Sequence, residues 1–568
     1  RIRQQELEDI LGADNVSFDE ETCRIYSNDA ANLPDLAGQI IDRQFDLVVQ
    51  PVNVDSLQKL VRIARKNKVP LVPRGNGTSG WGGAIPSKRG ICVSMGQMKS
   101  ILHMDDYSCT VTVESGITWR ELLMALQRLG MTVPIYPTSA TAATIAGFVA
   151  SGGLGIGSAK HGNIIDQVVG LEAVLPNGKL VRAGKLELGP RDDPLAQEAK
   201  EGTEWLENIL ERKNIGLLSL LAGTYGAFGI ITKVTLRLIP RLQLQPFGCT
   251  FSSMKELVDA AQEIVDKTLP YHLRFLDSNH TSKLSTLIGF PNGWGRFVLV
   301  GALHGTIYDN EDGLEEIGRI ALEKGGFLLD TKRADFYWSE MLFPLRFKRQ
   351  GPSLVPAEVL VPLENVPELH TETLSILRKS NIAVEGTVGP DGSTSYLVWI
   401  LDDERKKLGY TIGWHRSFDI AAIARKYGGR PYAIALWNTR HAREFYGEEA
   451  FGELSSIKKL IDSDNVMNPM KVFGGRVQAA WQSQFLGFSI GLLGGYAALS
   501  ISAMFPGLAW LSALNSWVPL PIVPLPLIVY ASLLAGIAGI GVIRLMTLKL
   551  ALSIGIPLLR FLGRFFGK

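Results

Sequence analysis

The sequence predicts an α+β protein with more than one domain and an apolar, basic terminal region. Three observations carry this expectation. The chain has 568 residues, more than a single hydrophobic core serves. Short strand patterns and amphipathic helices interleave through the first 475 residues. Beyond them, no Asp, Glu, Lys or Arg occurs from Val477 to Ile543.

Taken in order, "NVDSLQKLVRIARKNKVPLVPRG" reads as a capped helix with Leu57, Leu60, Val61 and Ala64 on one face, then a short buried strand and a glycine loop. "GICVSMGQM" and "CTVTVESG" read as strands and "TWRELLMALQRLG" as a helix, after which glycine and small residues dominate from Ser139 to Gly162. "VVGLEAVLPNGKLVRAG" is a hairpin about Asn177-Gly178, and "GIITKVTLRLIP" is a further strand. The charged stretch 185–214 is expected to be a solvated insert with one helix, "EWLENILERK". Helices such as "MKELVDAAQEIVDKTL" then alternate with strands such as "GRFVLVGALHG" and "STSYLVWIL", the pattern of a sheet with helices on one face. "RKYGGRPYAIALWN", "EEAFGELSSIKKLID" and "SDNVMNPMKVFGG" return to close-packed small residues and are expected to rejoin the first domain. The expected divisions are 1–240, 241–424, a return segment 425–475, and a tail 476–568.

Net charge is +2, and every charge from Arg476 onward is basic: Arg476, Arg544, Lys549, Arg560, Arg564 and Lys568. The preceding residues therefore sum to −4, and they show no clustered basic face with interleaved aromatics, which excludes nucleic acid as a partner. The four cysteines, Cys23, Cys92, Cys109 and Cys249, are scattered without a CxxC pair or neighbouring histidines, so no zinc site or iron–sulfur cluster is encoded. A reducing compartment follows.

In the tail, Phe485–Leu511 and Leu527–Ile543 are each long enough to enter or cross a bilayer core of roughly 30 Å, and the prolines of "NSWVPLPIVPLP" separate them. The expectation is a helical membrane hairpin. Basic residues follow the second span while the inter-span loop is uncharged, so both ends and the catalytic body are expected on the cytoplasmic side. The remaining basic segment has the character of an interfacial helix in contact with membrane lipid. A buried helical pair is the alternative.

The chemistry is signalled by glycine. "PLVPRGNGTSGWGG" and the stretch 139–162 each present bare backbone, and successive free N–H groups form a concavity for anions. Two such stretches can clamp a pyrophosphate from opposite sides. The pattern lacks the Gly-Lys-Ser/Thr of a Walker loop and the third glycine of a dinucleotide fingerprint, which disfavours ATP and NAD.

With "PTSATAATIAGFVASGGLGIGSAKHGNIIDQVVGLEAVLPNG", "AGTYGAFGIITKVTLRLIP" and "NVMNPMKVF" following in order, the chain resembles the FAD-linked oxidases of the vanillyl-alcohol oxidase / p-cresol methylhydroxylase superfamily over most of 46–475. Within that superfamily it is similar to the branch that contains glycolate oxidase flavin subunits, D-lactate dehydrogenases and alkyl-dihydroxyacetonephosphate synthase. The resemblance implies a two-part FAD-binding domain and an α/β cap. Pro73, Arg74, Gly75, Asn76, Gly77, Thr78 and Ser79 would wrap the FAD pyrophosphate. Thr138, Ser139, Thr144, Ile145, Gly147, Phe148, Ser151 and Gly157 would line the second phosphate and the isoalloxazine side, and Gly162, Ile164 and Ile231 would edge the ring or the adenine end. Members with covalent FAD carry His where this chain has Thr78, so a non-covalent cofactor is expected. Tyr225 stands where the family has Glu. The branch's metal-binding "HxGDGNxH" is here "VGPDGSTSY" and its "EHG" is missing, so no metal is expected.

Among catalytic candidates, Arg346 and Arg349 of "FPLRFKRQGPS" suit a substrate carboxylate or phosphate, or form a solvated basic loop. Tyr432 could donate a proton at the flavin or simply pack, and His415 and His441 are possible acid/base groups. The expected function is a membrane-anchored FAD-dependent oxidoreductase that oxidises a small hydroxylated or carboxylated substrate and passes electrons to quinone or a membrane-bound redox partner. A flavoenzyme acting on a lipid precursor and a non-catalytic flavin-fold subunit of a membrane complex are the alternatives.

Overall fold

Strands β1 (Val16–Ser17), β2 (Leu47–Val49), β3 (Leu71–Arg74) and β4 (Ile91–Ser94) form the first sheet, in the order β1-β2-β4-β3. The β2, β4 and β3 pairings are parallel. Such a sheet needs cover and a crossover. The helix Val54–Lys66 supplies both: Asn53 caps it by accepting from the Ser56 N–H at 2.9 Å, and Leu57, Leu60, Val61 and Ala64 pack on Leu71, Ile91 and Val93. The computed structural model describes residues 2–474 except 35–36, 38–40, 187–194, 212, 214, 289–296 and 378–380. Among the described residues no helix is long and apolar enough to cross a membrane, and the expected hairpin in 476–568 lies outside them.

The second sheet contains β5 (Ile101–Asp105), β6 (Thr110–Glu114), β8 (Val168–Val174), β9 (Leu180–Gly184) and β10 (Ile230–Arg237), all antiparallel, in the order β5-β6-β10-β8-β9, while the short β7 (Met131–Thr132) and β11 (Ile239–Pro240) pair separately. The β8–β9 hairpin turns at Asn177-Gly178 as its sequence requires, with Val174 opposite Leu180. The charged insert departs from expectation. Its helix, Ala196–Leu210, is docked on β9 rather than solvated, with Ala199, Gly202, Leu206 and Leu210 buried. Gly202 permits the approach, since a Cβ there would clash with the Leu180 carbonyl.

The third sheet has eight antiparallel strands: β12 (Gln243–Phe251), β13 (His272–Leu276), β14 (Phe297–Gly305), β15 (Phe327–Leu328), β16 (Ser353–Pro362), β17 (Ile382–Val388), β18 (Ser393–Asp402) and β19 (Arg430–Pro431), in the order β15-β12-β14-β13-β17-β18-β16-β19. Helices Met254–Thr268, Ile307–Glu323, Val366–Ile376 and Lys407–Ala424 bury one face, where Leu273, Phe275, Leu299, Val355 and Val398 point. Cover is not confined to that face. Helices Ser278–Ile288 and Thr331–Glu340 place Leu284 and Tyr337 on Leu276, Val298, Val300 and Ala383 of the other. The cause is legible in "FVLVGA", where neighbouring residues on both faces are apolar and each face demands burial.

The remainder of that second face is uncovered by helix, and it turns towards the first two sheets. Past β19 the chain rejoins the first domain: Leu454, Ile457 and Ile461 enter the second sheet's core, and Leu71 of β3 exchanges backbone hydrogen bonds with Val466 and Asn468, each 2.8 Å.

Candidate active site

A cavity of about 640 Å³ lies between the glycine loops of the first domain and the bare part of the third sheet. Its first wall is main chain. Immediately after β3, Gly75 passes so close to Thr144 that a Cβ would overlap the threonine hydroxyl. Gly77 takes φ +62° against the Arg74 guanidinium, a backbone conformation costly for other residues. Asn76 Nδ2 donates to the Ala142 carbonyl at 2.7 Å and ties the two glycine stretches together. The backbone amides of Asn76, Gly77, Thr78 and Ser79 donate to nothing among the described residues. They are free for an anion. Asp29 braces the loop from below by accepting from the Gly82 N–H at 2.8 Å, and burial pushes its pKa up to about 6. Ser115 Oγ, also on the cavity wall, is buried without a partner among the described residues, a polar atom that a ligand can satisfy.

The second wall is side chains. Residues alternate along a strand, so Leu354, Pro356 and Glu358 of β16, Glu385 and Thr387 of β17, Ser395, Leu397 and Trp399 of β18, and Arg274 of β13 all face the cavity. Arg274 pairs with Glu385, which also accepts from Trp399 Nε1 at 3.1 Å and meets His280 Nε2 at 3.2 Å. Burial opposes ionisation of Glu385, but Arg274 and then His280 and Trp399 outweigh it and hold the carboxyl down to about 2. Glu358 has no such company. Burial pushes its pKa up to about 8, only partly offset by the hydrogen bond from the Ser395 hydroxyl, and the charge of Glu385 adds to the rise.

Two family models match the chain: FAD binding domain over 45–184, and FAD linked oxidases, C-terminal domain, over 246–472. The glycolate oxidase subunit GlcD of Bacillus subtilis is 24% identical over 493 residues, 83% of this chain and 96% of that protein. A D-lactate dehydrogenase of Archaeoglobus fulgidus is 26% identical over 440 residues, 75% of this chain and 91% of that protein. The crystal structure of p-cresol methylhydroxylase with substrate bound superimposes with a TM-score of 0.68 at 17% identity, covering 84% of this chain and 96% of that one.

The chain belongs to the FAD-linked oxidases. FAD is its cofactor, and the free amides of 76–79, the hydroxyls of Thr78 and Ser79, and the orphaned Ser115 hydroxyl suit a dinucleotide's diphosphate and polar arms.

This FAD-linked oxidase brings Pro73, Arg74, Gly75, Asn76, Gly77, Thr78, Ser79, Thr138, Ser139, Thr144, Gly147, Phe148, Ser151 and Ile231 to the cavity lining. Ile145, Gly157, Gly162 and Ile164 are not part of the cavity lining. Ile145 and Ile164 are buried in the second sheet's core. Gly157 and Gly162 are turn glycines flanking the short helix Ser158–His161, and a Cβ on Gly157 would strike the Pro134 carbonyl. Arg74 is mostly buried, stacking 5.5 Å from the Tyr26 ring, so it supports the loop from beneath.

The catalytic candidates divide similarly. Arg346 and Arg349 line the cavity; Arg346 is held by Glu340 at 2.5 Å over the Phe343 ring, while Arg349 has no ion-pair partner among the described residues. Tyr432 also lines it, but its phenol accepts from the Leu154 N–H at 2.8 Å and donates to the Leu154 carbonyl at 3.2 Å. That commits the hydroxyl to holding the second glycine stretch, and burial raises its pKa further above the ordinary phenol range. His415 belongs to the helix Lys407–Ala424 on the opposite face of the third sheet, not to the cavity wall, because that face is where its helix buries Trp414 and Phe418.

Sequence reasoning missed Arg274, Glu385, Glu358 and Trp399. A signal existed: "HLRFL", "IAVEGTV" and "VPAEVLV" each carry one charge inside an apolar strand. Among the described residues no three His, Cys, Asp or Glu side chains are grouped to hold a metal.

Proposed function

We propose that this FAD-linked oxidase oxidises the CH–OH of a small 2-hydroxy acid and passes the electrons to quinone or a membrane-bound redox partner. The observation that carries the reading is a cavity enclosed between a backbone cradle suited to FAD and a wall of ionisable side chains. Glycolate oxidase and D-lactate dehydrogenase are the names of relatives that align along three quarters or more of the chain, which supports a hydroxy acid as the donor.

Bound FAD supplies the two-electron acceptor. The chain's own residues do the rest. Arg349 meets the substrate carboxylate, as a guanidinium fork suits. Tyr432 keeps Leu154 and the second glycine stretch in register. The apolar Leu354, Pro356, Leu397 and Trp399 exclude water from the reacting carbon. Thr78, where covalently flavinylated relatives carry His, leaves the cofactor dissociable. The four cysteines are scattered in sequence without a CxxC pair, which supports an acceptor outside this chain. The charge-free span 477–543 supports a membrane hairpin that brings the acceptor pool near, with the body on the cytoplasmic face.

The test is anaerobic visible spectroscopy of the purified full chain with D-lactate, glycolate and D-2-hydroxyglutarate, followed by a soluble quinone. Bleaching of the flavin bands by at least one acid and their recovery with quinone are expected. A flavin that none of the acids reduces defeats the hydroxy-acid reading. Extraction of the full chain from membranes by alkaline carbonate would remove the anchor from it.

A further inference from the structure

We propose that Glu358 is the catalytic residue that takes the substrate's hydroxyl proton, an inference that rests on the hydroxy-acid reading above. In the step, the O–H bond breaks and its proton goes to the Glu358 carboxylate. The C–H electron pair would leave with its hydrogen as a hydride as the C=O forms, and bound FAD would supply the acceptor for it. Charge and electrons balance with no further co-reactant.

Placement is the first ground. Glu358 projects from β16 on the face that looks across the cavity to the cofactor cradle, at the height of Leu397 in the β18 register, with Pro356 beside it along its own strand. Its surroundings on the sheet are largely apolar, so the carboxyl is desolvated without being sealed from the cavity.

The second ground is its hydrogen bonding. The Ser395 hydroxyl donates to Oε1. Oε2 has no hydrogen bond among the described residues and is not enclosed, so it is the atom available to a bound molecule.

The third ground is the charge around it. Facing Glu358 are Ser395 from β18, the ionised Glu385 from β17 with Arg274 of β13 beyond, Tyr432 after β19, and Tyr225 from the first domain. Arg274 is taken by Glu385, and the Tyr432 phenol is taken by Leu154, while its N–H donates to the Glu358 carbonyl at 3.1 Å. No cation contacts the Glu358 carboxyl among the described residues. A carboxyl so placed holds its proton near neutrality, and its value of about 8 sits where a general base for an alcohol works best. The other acidic group on the wall, Glu385, is held ionised at neutral pH by Arg274, His280 and Trp399 and is enclosed by them.

Glu358→Gln retains the shape and the acceptor for Ser395, so it tests the proton alone. Infrared difference spectra of the holoenzyme, taken across pH 7 to 9 without substrate, should show the carbonyl band of a protonated acid disappearing in the wild type and missing in E358Q. With any hydroxy acid that reduces the wild-type flavin, E358Q should bind FAD fully but reduce it roughly 10²–10⁴-fold more slowly. The wild-type rate should climb with pH and level off above about 8, a rise that E358Q lacks and Glu358→Asp keeps. A wild-type reduction rate in E358Q, or an acid band that persists in it, overturns the proposal. If no acid reduces even the wild type, the hydroxy-acid reading fails, and the infrared band alone then decides whether Glu358 is the cavity's proton carrier.

Discussion

The two walls of the cavity are built on opposite principles. One offers main-chain amides from Asn76 to Ser79, with close approach permitted by Gly75 and Gly77; the other offers side chains drawn from four strands whose backbones pair within the sheet. The first suits the diphosphate of FAD, and the second is the wall proposed to meet the substrate. A backbone wall is difficult to alter by substitution without losing the cofactor, whereas the sheet wall can change chemistry one alternate residue at a time.

The sharpest break in that contrast is on the glycine side. Gly75→Val places branched carbon into the Thr144 hydroxyl, and the variant is expected to purify colourless while its far-ultraviolet circular dichroism remains that of the wild type. On the sheet side the largest effect is on stability. Arg274→Ala leaves Glu385 buried without its counter-charge and should cost about 3–5 kcal/mol in urea unfolding. Adding Glu385→Gln should return part of that loss, because the stranded charge is then removed.

Two pH windows separate the carboxylates of the sheet wall. Glu385 has a folded pKa of about 2, below its unfolded value near 4.3, so its contribution is present above that value and lost as pH falls towards 2. Glu358 has the opposite sign: with a folded value of about 8 the native state binds the extra proton, so stability declines as pH rises from about 4.3 to 8 and is flat beyond. Thermal unfolding of wild type and E358Q across pH 5 to 9 should show that decline in the first and its absence in the second. The smallest effect is a control remote from both walls: Ser253→Ala removes the capping box of Met254–Thr268 and should cost about 1 kcal/mol with flavin content unchanged.

The contrast also explains what the sequence disclosed. The cradle is local, with contacts written as consecutive residues, so "PRGNGTS" and "TIAGF" could be read directly, and the Asn177-Gly178 turn and the helix Met254–Thr268 were legible for the same reason. The sheet wall is not local. Arg274, Glu358, Glu385 and Ser395 are brought together only by the pairing order β13-β17-β18-β16 and its register, which no single strand's pattern encodes. His415 drew attention as a histidine in isolation, yet the sheet puts its helix on the opposite face. Ile145 and Ile164 adjoin residues of the glycine stretches in sequence, but their side chains serve the core.

Flavin released by acid denaturation of the detergent-purified full chain measures most directly whether FAD occupies the glycine wall. One FAD per chain, freed into the supernatant, is the expected result. Protein that carries no flavin and takes up none when FAD is supplied would contradict it.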